Sequence, residues 1–150
     1  MKSRTASSTS TVQLPEQLYV AILRAGNHLS QNPEQLIKSA GLTPAQYNVL
    51  RILRGAQPDG LLCRGISDRM ISHDPDMTRL LDRMEKRGWI TRQRQKEDRR
   101  VIKTRITEEG LVVLKRLDQP MRELHRQQLE HMSAGDMKAL LKLLGTIKKP

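Results

Sequence analysis

The segment from Asp74 to Thr107 constrains the fold more than any other part of the chain. It begins with apolar residues that recur every three or four positions, which predicts a helix buried on one side. These residues are Met77, Leu80, Leu81 and Met84. Gly88 is placed to end this helix. Two stretches in which apolar and polar residues alternate, 89–93 and 101–106, then predict a β-hairpin with a highly charged tip.

Positive charge is concentrated in the same segment. Between Arg83 and Arg105 the chain has ten lysine and arginine residues and three acidic ones, and the whole chain has a formal net charge of +11. A local excess of this kind attracts the phosphate backbone of nucleic acids. Aromatic residues make up only 2% of the chain, whereas proteins that read single strands or RNA stack bases on aromatic side chains. The composition therefore favours double-stranded DNA as the partner.

The residues before this segment predict another helix. Thr43 has the signature of an N-cap, with Pro44 at the first helical position and Gln46 able to complete a capping box. Gly55 is expected to end this helix.

A helix-turn-helix is predicted to follow. A short strand at 61–63 and one or two helical turns up to Ile71 precede a second helix, for which we expect Asp74 as N-cap and Pro75 as the first residue. Two short helices joined by a few residues, the second with a basic exposed face, are typical of a helix-turn-helix. With the basic hairpin behind it, the predicted fold is mainly α, a winged helix-turn-helix with a small β-hairpin wing.

Both ends of the chain are predicted to be largely helical. Residues 1–13 are rich in serine and threonine and are expected to form a disordered tail. A long helix from Pro15 and a short one at 33–40 are expected next. Residues 108–150 predict two more helices, beginning after Thr107 and Ser133.

These end helices predict a two-fold homodimer, because their apolar stripes need a partner. Within one intertwined domain, we assign residues 14–41 and 108–150 to dimerisation and residues 42–107 to DNA binding. The residues expected at the interface are Leu18, Ile22, Leu117, Met121, Leu140, Leu144 and Ile147. Two recognition helices would then meet DNA half-sites about 34 Å, or one helical turn, apart.

Other classes of function have no support in the sequence. There is no glycine-rich phosphate loop, nucleophile elbow or HExxH motif, so we expect neither enzymatic activity nor a cofactor. No two histidines have the i, i+4 spacing of helical metal ligands, so we expect no metal site. The single cysteine, Cys63, excludes an internal disulfide, and we expect it to be a packing residue rather than a reactive thiol. No apolar run is long enough to cross a bilayer, which predicts a cytoplasmic protein without a membrane partner.

Several short motifs, in this order, resemble the MarR family of bacterial transcription regulators over residues 14–147. The motifs are Leu42-Thr43-Pro44-Ala45-Gln46-Tyr47, the run from Met77 to Gly88, Asp98-Arg99-Arg100, and the run from Ile106 to Gly110. The resemblance implies an obligate dimer that binds pseudo-palindromic duplex DNA near its own or neighbouring genes, usually as a repressor. In many members a small phenolic or anionic ligand releases the DNA, so the resemblance also implies a ligand pocket between the winged helix and the dimerisation helices.

The resemblance assigns the recognition role to residues 75–87. Within this helix, we expect Thr78 and Arg79 to read bases, because arginine can donate two hydrogen bonds to guanine and threonine can meet an acceptor or a thymine methyl group. The DNA-binding residues expected on the helix are Asp76, Thr78, Arg79, Arg83 and Arg87. The last two are expected to contact phosphates rather than bases.

The wing role falls on residues 92–103, whose basic side chains are expected at phosphates or in the minor groove. The wing residues are Arg92, Arg94, Lys96, Asp98, Arg99, Arg100 and Lys103. Since an acid does not favour a place beside phosphates, we expect Asp98 to pair with an arginine and hold the wing at its angle. Two alternatives remain: a non-specific architectural DNA binder, and a winged-helix module whose basic hairpin binds an acidic protein.

Overall fold

The computed structural model describes residues 9–147, with side chains from residue 13 onward. Six helices and three short strands follow one another in these residues. They are α1 (Thr9–Ser39), α2 (Pro44–Gly55), β1 (Leu61–Leu62), α3 (Cys63–Ser67), α4 (Met77–Lys86), β2 (Ile90–Arg94), β3 (Ile102–Ile106), α5 (Glu108–Leu129) and α6 (Ala134–Leu144). This order confirms the predicted mainly helical fold, with a winged helix between the helices of the two ends.

The three strands form one antiparallel sheet in the order β1-β3-β2. β2 and β3 make the predicted hairpin, with Ile90 opposite Ile106 and Arg92 opposite Thr104. β1 adds two residues on the other side of β3, where Leu61 pairs with Thr104. Because β2 lies at the edge of the sheet, the backbone NH groups on its outer side need partners from elsewhere.

The core of the winged helix is made by the inner faces of α2, α3, α4 and α5. Its fully buried side chains include Val49, Leu50, Ile66, Met84 and Leu114. All four apolar residues predicted to face inward from α4 are buried. The opposite face of α4 is therefore left to solvent, as expected for an amphipathic helix.

The start of α2 has the predicted capping box. Thr43 Oγ1 accepts the backbone NH of Gln46 at 3.2 Å, and Gln46 Oε1 accepts the backbone NH of Thr43 at 3.0 Å. Pro44 takes the first helical position, where its missing NH costs nothing. The two reciprocal bonds fix where this helix begins.

The recognition helix α4 starts two residues later than predicted. We expected Asp74 as its N-cap, but Asp76 takes that place, and its carboxylate accepts the NH of Arg79 at 3.1 Å. Asp74 lies two residues before this N-cap, and its side chain accepts the backbone NH of Asp76 at 2.8 Å. Pro75 therefore lies in the turn between the two aspartates, and Met77 is the first residue of the helix.

The N-terminal region is one helix rather than the two that we predicted. α1 continues through Pro33, which has no NH to donate to the carbonyl of Leu29 one turn earlier. Gln128 of α5 supplies the missing donor, since its Nε2 atom donates to the Leu29 carbonyl at 3.0 Å. A contact between distant parts of the chain thus satisfies the group that the proline leaves free.

The first turns of α1 lie further upstream than expected. The helix begins at Thr9, so residues 9–13 of the predicted disordered tail are helical, and residues 1–8 lie outside the described residues. In the described part of the chain, no helix combines the length and the apolar character needed to cross a bilayer.

The helices at the two ends leave large apolar side chains exposed. No residue of α6 is buried, and Leu140 and Leu141 are 44% and 70% exposed. Leu144, Ile147 and, on α1, Leu18 are also exposed. These faces remain open to a partner, and their assignment to a dimer interface stays a prediction.

Three other residues assigned to the interface are less open. Leu117 and Met121 are buried in the core of the single chain, because the middle of α5 packs against α1 and α2. Ile22 on α1 is half-buried. The apolar surface left for a partner therefore comes from α1 and α6 more than from the middle of α5.

Candidate nucleic-acid interface

The exposed face of α4 presents a basic side chain at its N-terminal end. Thr78 and Arg79 are both exposed, and the Arg79 side chain is 80% exposed. The N-cap residue Asp76 also forms an ion pair with this side chain, with Arg79 Nε 3.2 Å from Asp76 Oδ2. The carboxylate therefore holds the guanidinium beside the start of the helix, which is the end that contacts base edges in helix-turn-helix proteins.

The two other arginines of this region differ from each other. Arg83 is exposed, and its side chain has no hydrogen bond or ion pair with the described residues. Arg87 lies over the ring of Trp89, 4.8 Å from the centroid, and its Nη2 atom donates to the Gly41 carbonyl at 3.3 Å. Arg83 is therefore freer than Arg87 to reach a phosphate.

The tip of the wing carries four exposed basic residues that have no acidic partner within the described residues. They are Arg94, Lys96, Arg99 and Arg100. Arg94 Nη1 donates to the Arg99 carbonyl at 3.4 Å, which closes the loop on itself. Lys103 lies further back on β3 and is half-buried. Although Glu97 and Asp98 lie in the same loop, the tip keeps a net positive charge, which favours contact with phosphates or with the minor groove.

Asp98 does not form the predicted ion pair with an arginine of the described residues. Its Oδ1 atom accepts the backbone NH of Arg100 at 2.9 Å, and its carbonyl accepts the NH of Val101 at 3.0 Å. An aspartate that binds the backbone two residues ahead stabilises a turn. Asp98 thus shapes the loop that carries Arg100 and does not tie the wing to the recognition helix.

Arg92 makes that connection instead. Its Nε and Nη2 atoms donate to Glu85 Oε2 at 2.9 and 2.7 Å, and Nη2 also donates to Asp82 Oδ1. The hydrogen bond to Glu85 is the largest cause of the raised pKa of Arg92, which burial opposes and Asp82 reinforces. We predicted Arg92 as a DNA contact, but these guanidinium donors are occupied by two acids of α4.

Both the sequence and the fold match known proteins. Residues 42–102 match the profile of the MarR family. A MarR transcription factor from Planctomyces limnophilus is 34% identical in a structural match that covers 96% of this chain and 100% of that one, with a TM-score of 0.66. The chain belongs to the MarR family. Similar proteins include a transcriptional regulator and a degradative-operon repressor from Escherichia coli.

Two further similar proteins are informative. The HTH-type transcriptional regulator PrsX from Escherichia coli is 30% identical over 95 residues, which cover 63% of this chain and 57% of PrsX. The chain thus spans less than two thirds of that relative. A mutant of MarR from Escherichia coli, crystallised with operator DNA, has a TM-score of 0.79 over 95% of this chain and 100% of its own, at 21% identity. At that identity the likeness shows the fold alone.

This MarR-family chain has a cleft where the resemblance implied a ligand pocket. The cleft has a volume of about 810 Å³, is mostly apolar, and is lined by α1, α2, α5 and the segment before α4. Its polar groups include Tyr47, Arg51, His73 and His125. Arg51 Nη1 donates to the Tyr47 hydroxyl at 3.3 Å. Sequence reasoning assigned none of these residues to a ligand pocket, because they come from three separate segments and share no regular spacing.

Two remaining expectations concern cysteine and metal chemistry. Cys63 was expected to pack in an apolar site, but it is exposed at the first position of α3. Among residues 9–147, no three side chains of His, Cys, Asp or Glu come together in a way that could hold a metal ion.

Proposed function

We propose that this protein is a homodimeric, sequence-specific repressor that binds double-stranded DNA near its own or neighbouring genes in the cytoplasm. The observation that carries the proposal is the exposed Thr78–Arg79 pair at the capped start of a helix whose opposite face is buried. These two side chains have the chemistry to distinguish guanine and thymine in the major groove. A relative of the same fold was crystallised with operator DNA, which supports duplex DNA as the ligand.

The wing supplies a second, sequence-independent contact. The exposed basic residues of its tip suit phosphates or the minor groove, and such contacts raise affinity and fix the register of the helix on the duplex. Specificity in this account comes from α4, and a large share of the affinity comes from the wing.

Dimerisation places two recognition helices on one operator. α1 and α6 expose leucine side chains that one chain does not cover, and a two-fold interface would bury them. A protein of this symmetry reads a pseudo-palindromic operator, with half-sites about 34 Å apart.

A small anionic or phenolic ligand releases the DNA by entering the cleft. Arg51 offers positive charge to an anion, and Tyr47 offers a hydroxyl group and a ring face. His73 lies immediately before Asp74, whose carboxylate binds the backbone at the start of the recognition helix. A ligand that moves this segment therefore acts on the base-reading end of α4.

Fluorescence-anisotropy titrations of duplexes tiled across the DNA beside the protein's own gene test this function. We expect one tile to bind tightly at two salt concentrations and to stay bound when random duplex is added as competitor. Equal and salt-labile binding to every tile would reject a sequence-specific repressor.

The ligand step is tested on the tile that binds. Salicylate, as a small phenolic anion, should release the duplex, whereas benzyl alcohol, as a neutral aromatic of similar size, should release less. The Arg51→Ala variant should bind the tile like the wild type but require more salicylate for release. If salicylate has no effect on either protein, a phenolic-anion effector is rejected while DNA binding stands.

The net charge of +11 favours a second candidate, a non-specific architectural DNA binder. Such a protein would show a steep dependence of affinity on salt and no ratio between specific and random sites. The competitor experiment separates the two candidates directly.

A further inference from the structure

Three charged side chains join the wing to the recognition helix. Glu85 of α4 receives three hydrogen bonds from Arg92 of β2: the backbone NH at 2.9 Å, Nε at 2.9 Å and Nη2 at 2.7 Å. Asp82, one turn earlier on α4, accepts a further bond from Nη2. All three side chains are half-buried, whereas the basic residues at the tip of the wing are exposed.

The backbone bond shows that this contact is more than an exchange of charges between side chains. Arg92 lies on the edge strand of the sheet, and its backbone NH donates to Glu85 instead of to another strand. One glutamate therefore holds both the main chain and the side chain of the same wing residue. Oε1 of Glu85 accepts the backbone NH and Oε2 accepts both guanidinium atoms, so both oxygens of the carboxylate hold the same wing residue.

The charges of the joint are unusual for a DNA-binding surface. Asp82 and Glu85 lie on the helix that carries Arg79 and Arg83, and one arginine between two acids leaves the joint with a net negative charge. Acidic groups near a duplex repel phosphates, so their removal should strengthen binding if they have no other role. Arg92, for its part, could bind a phosphate through Nε or Nη2 only by giving up bonds to the acids.

We propose that Arg92 is a positioning residue, and that Asp82 and Glu85 hold it so that the wing and the recognition helix meet the DNA at a fixed angle. In its binding tests this inference rests on the proposed DNA-binding function. Its distinctive consequence is that the removal of an acidic charge from the recognition helix weakens DNA binding, whereas repulsion of phosphates alone would predict stronger binding.

The first test compares two acids. Glu85→Ala should weaken binding about tenfold, because charge-assisted bonds that are partly open to solvent are lost and the wing is no longer held. The matched control is Glu97→Ala in the wing loop, since Glu97 is exposed and has no hydrogen bond or ion pair with the described residues. This control should bind as tightly as the wild type or more tightly. Binding of Glu85→Ala that equals or exceeds the wild type would overturn the proposal.

The second test asks whether Arg92 acts through Glu85. If Arg92 positions the wing, Arg92→Ala weakens binding, and the double variant Arg92→Ala/Glu85→Ala loses no more than Arg92→Ala alone. If Arg92 instead contacts a phosphate, the two single changes have opposite signs and add in the double variant. Asp82→Ala, which removes one of the four bonds, should weaken binding less than Glu85→Ala and serves as a second variant if Glu85→Ala does not fold.

The third test needs no DNA. In the free protein, NMR hydrogen exchange of the Arg92 backbone amide should become about tenfold faster in Glu85→Ala, because the amide loses its acceptor. The amide of Gly110, which donates to Thr107 Oγ1 at 3.1 Å, is the internal control and should not change. Unchanged exchange at Arg92 would reject the joint itself, whatever the protein binds. If the wild-type protein prefers no DNA tile over random duplex, the proposed function is rejected, but the exchange result still tests the contact between Arg92 and Glu85.

Discussion

The middle of the chain and its two ends differ in how their apolar side chains are covered. In the winged helix, from α2 to β3, most large apolar residues are packed inside the chain's own core. On α1 and α6, leucines of the same size face outward, and no residue of α6 is buried. The winged helix covers its own apolar side chains, as a complete small domain does, whereas the end helices leave apolar side chains that one chain does not cover.

This difference separates two tasks within one chain. The winged helix holds Arg79 and the wing loop in place with contacts that one copy supplies by itself, so its geometry does not depend on a partner. In the proposed dimer, the ends acquire their missing cover by association, and association sets the distance between two copies of the winged helix. Each of the following changes acts on one side of this division.

The largest effect is expected from a cavity in the middle. Leu50→Ala should lower the free energy of unfolding by about 2–5 kcal/mol, because it empties a fully buried site. Leu141→Ala, at an exposed position of α6, should act only through association, so its effect should depend on protein concentration. Urea unfolding at two protein concentrations measures both. If both variants lose the same free energy of unfolding at both protein concentrations, the proposed division between the winged helix and the end helices is wrong.

A charged side chain on the exposed face of α6 should dissociate the proposed dimer without unfolding the subunit. Leu140→Asp should raise the dissociation constant of the dimer about 100-fold, since a two-fold interface would lose the apolar contact of two leucines and would have to desolvate two carboxylates. Leu62→Asp is the matched control, because Leu62 is exposed to the same degree on β1, 45% against 44%. Analytical ultracentrifugation should show a monomer for the first variant and a dimer for the second. A dimer that tolerates Leu140→Asp would exclude this face of α6 from the interface.

A smaller effect is expected at the base-reading position of the middle. Arg79→Ala should cost about 1–3 kcal/mol on the preferred duplex and little on random duplex. Arg116→Ala, an exposed arginine of α5, should leave both affinities unchanged. Equal losses on the two duplexes would assign Arg79 to a phosphate contact.

The smallest effect concerns the wing. Arg100→Ala should reduce the slope of log affinity against log salt by about one, the share of one phosphate contact. Titrations at four salt concentrations give the slope. A slope equal to that of the wild type would remove Arg100 from the interface with DNA.

The parts of this structure that depend on neighbouring residues could be predicted from the sequence. The capping box of Thr43 and Gln46 lies within one turn, and the buried face of α4 follows from the spacing of its apolar residues. The predicted start of α4 was wrong by two residues, because Asp74 and Asp76 are both good capping residues. The choice fell to Asp76, directly before the buried Met77.

The contacts that the sequence did not reveal join different elements of secondary structure. Pro33 predicts a helix break, and only the donor from Gln128, on another helix, shows why α1 continues. The sequence does not distinguish Arg92 from the other basic residues of the wing, and only the structure shows its bonds to Glu85 of α4. The basic composition of the wing was readable, but the division between residues that face DNA and residues that hold the wing was not.

The central claim is that the end helices fix the distance between the recognition helices of two subunits. It is tested most directly by a change in the distance between the two half-sites of the operator. Binding is measured to the preferred duplex and to a version with about five base pairs, half a helical turn, inserted between the half-sites. A dimer with a fixed distance between its recognition helices should lose most of its preference over random duplex on the second DNA. If the wild-type protein binds both duplexes equally well, each winged helix acts alone and the account is contradicted.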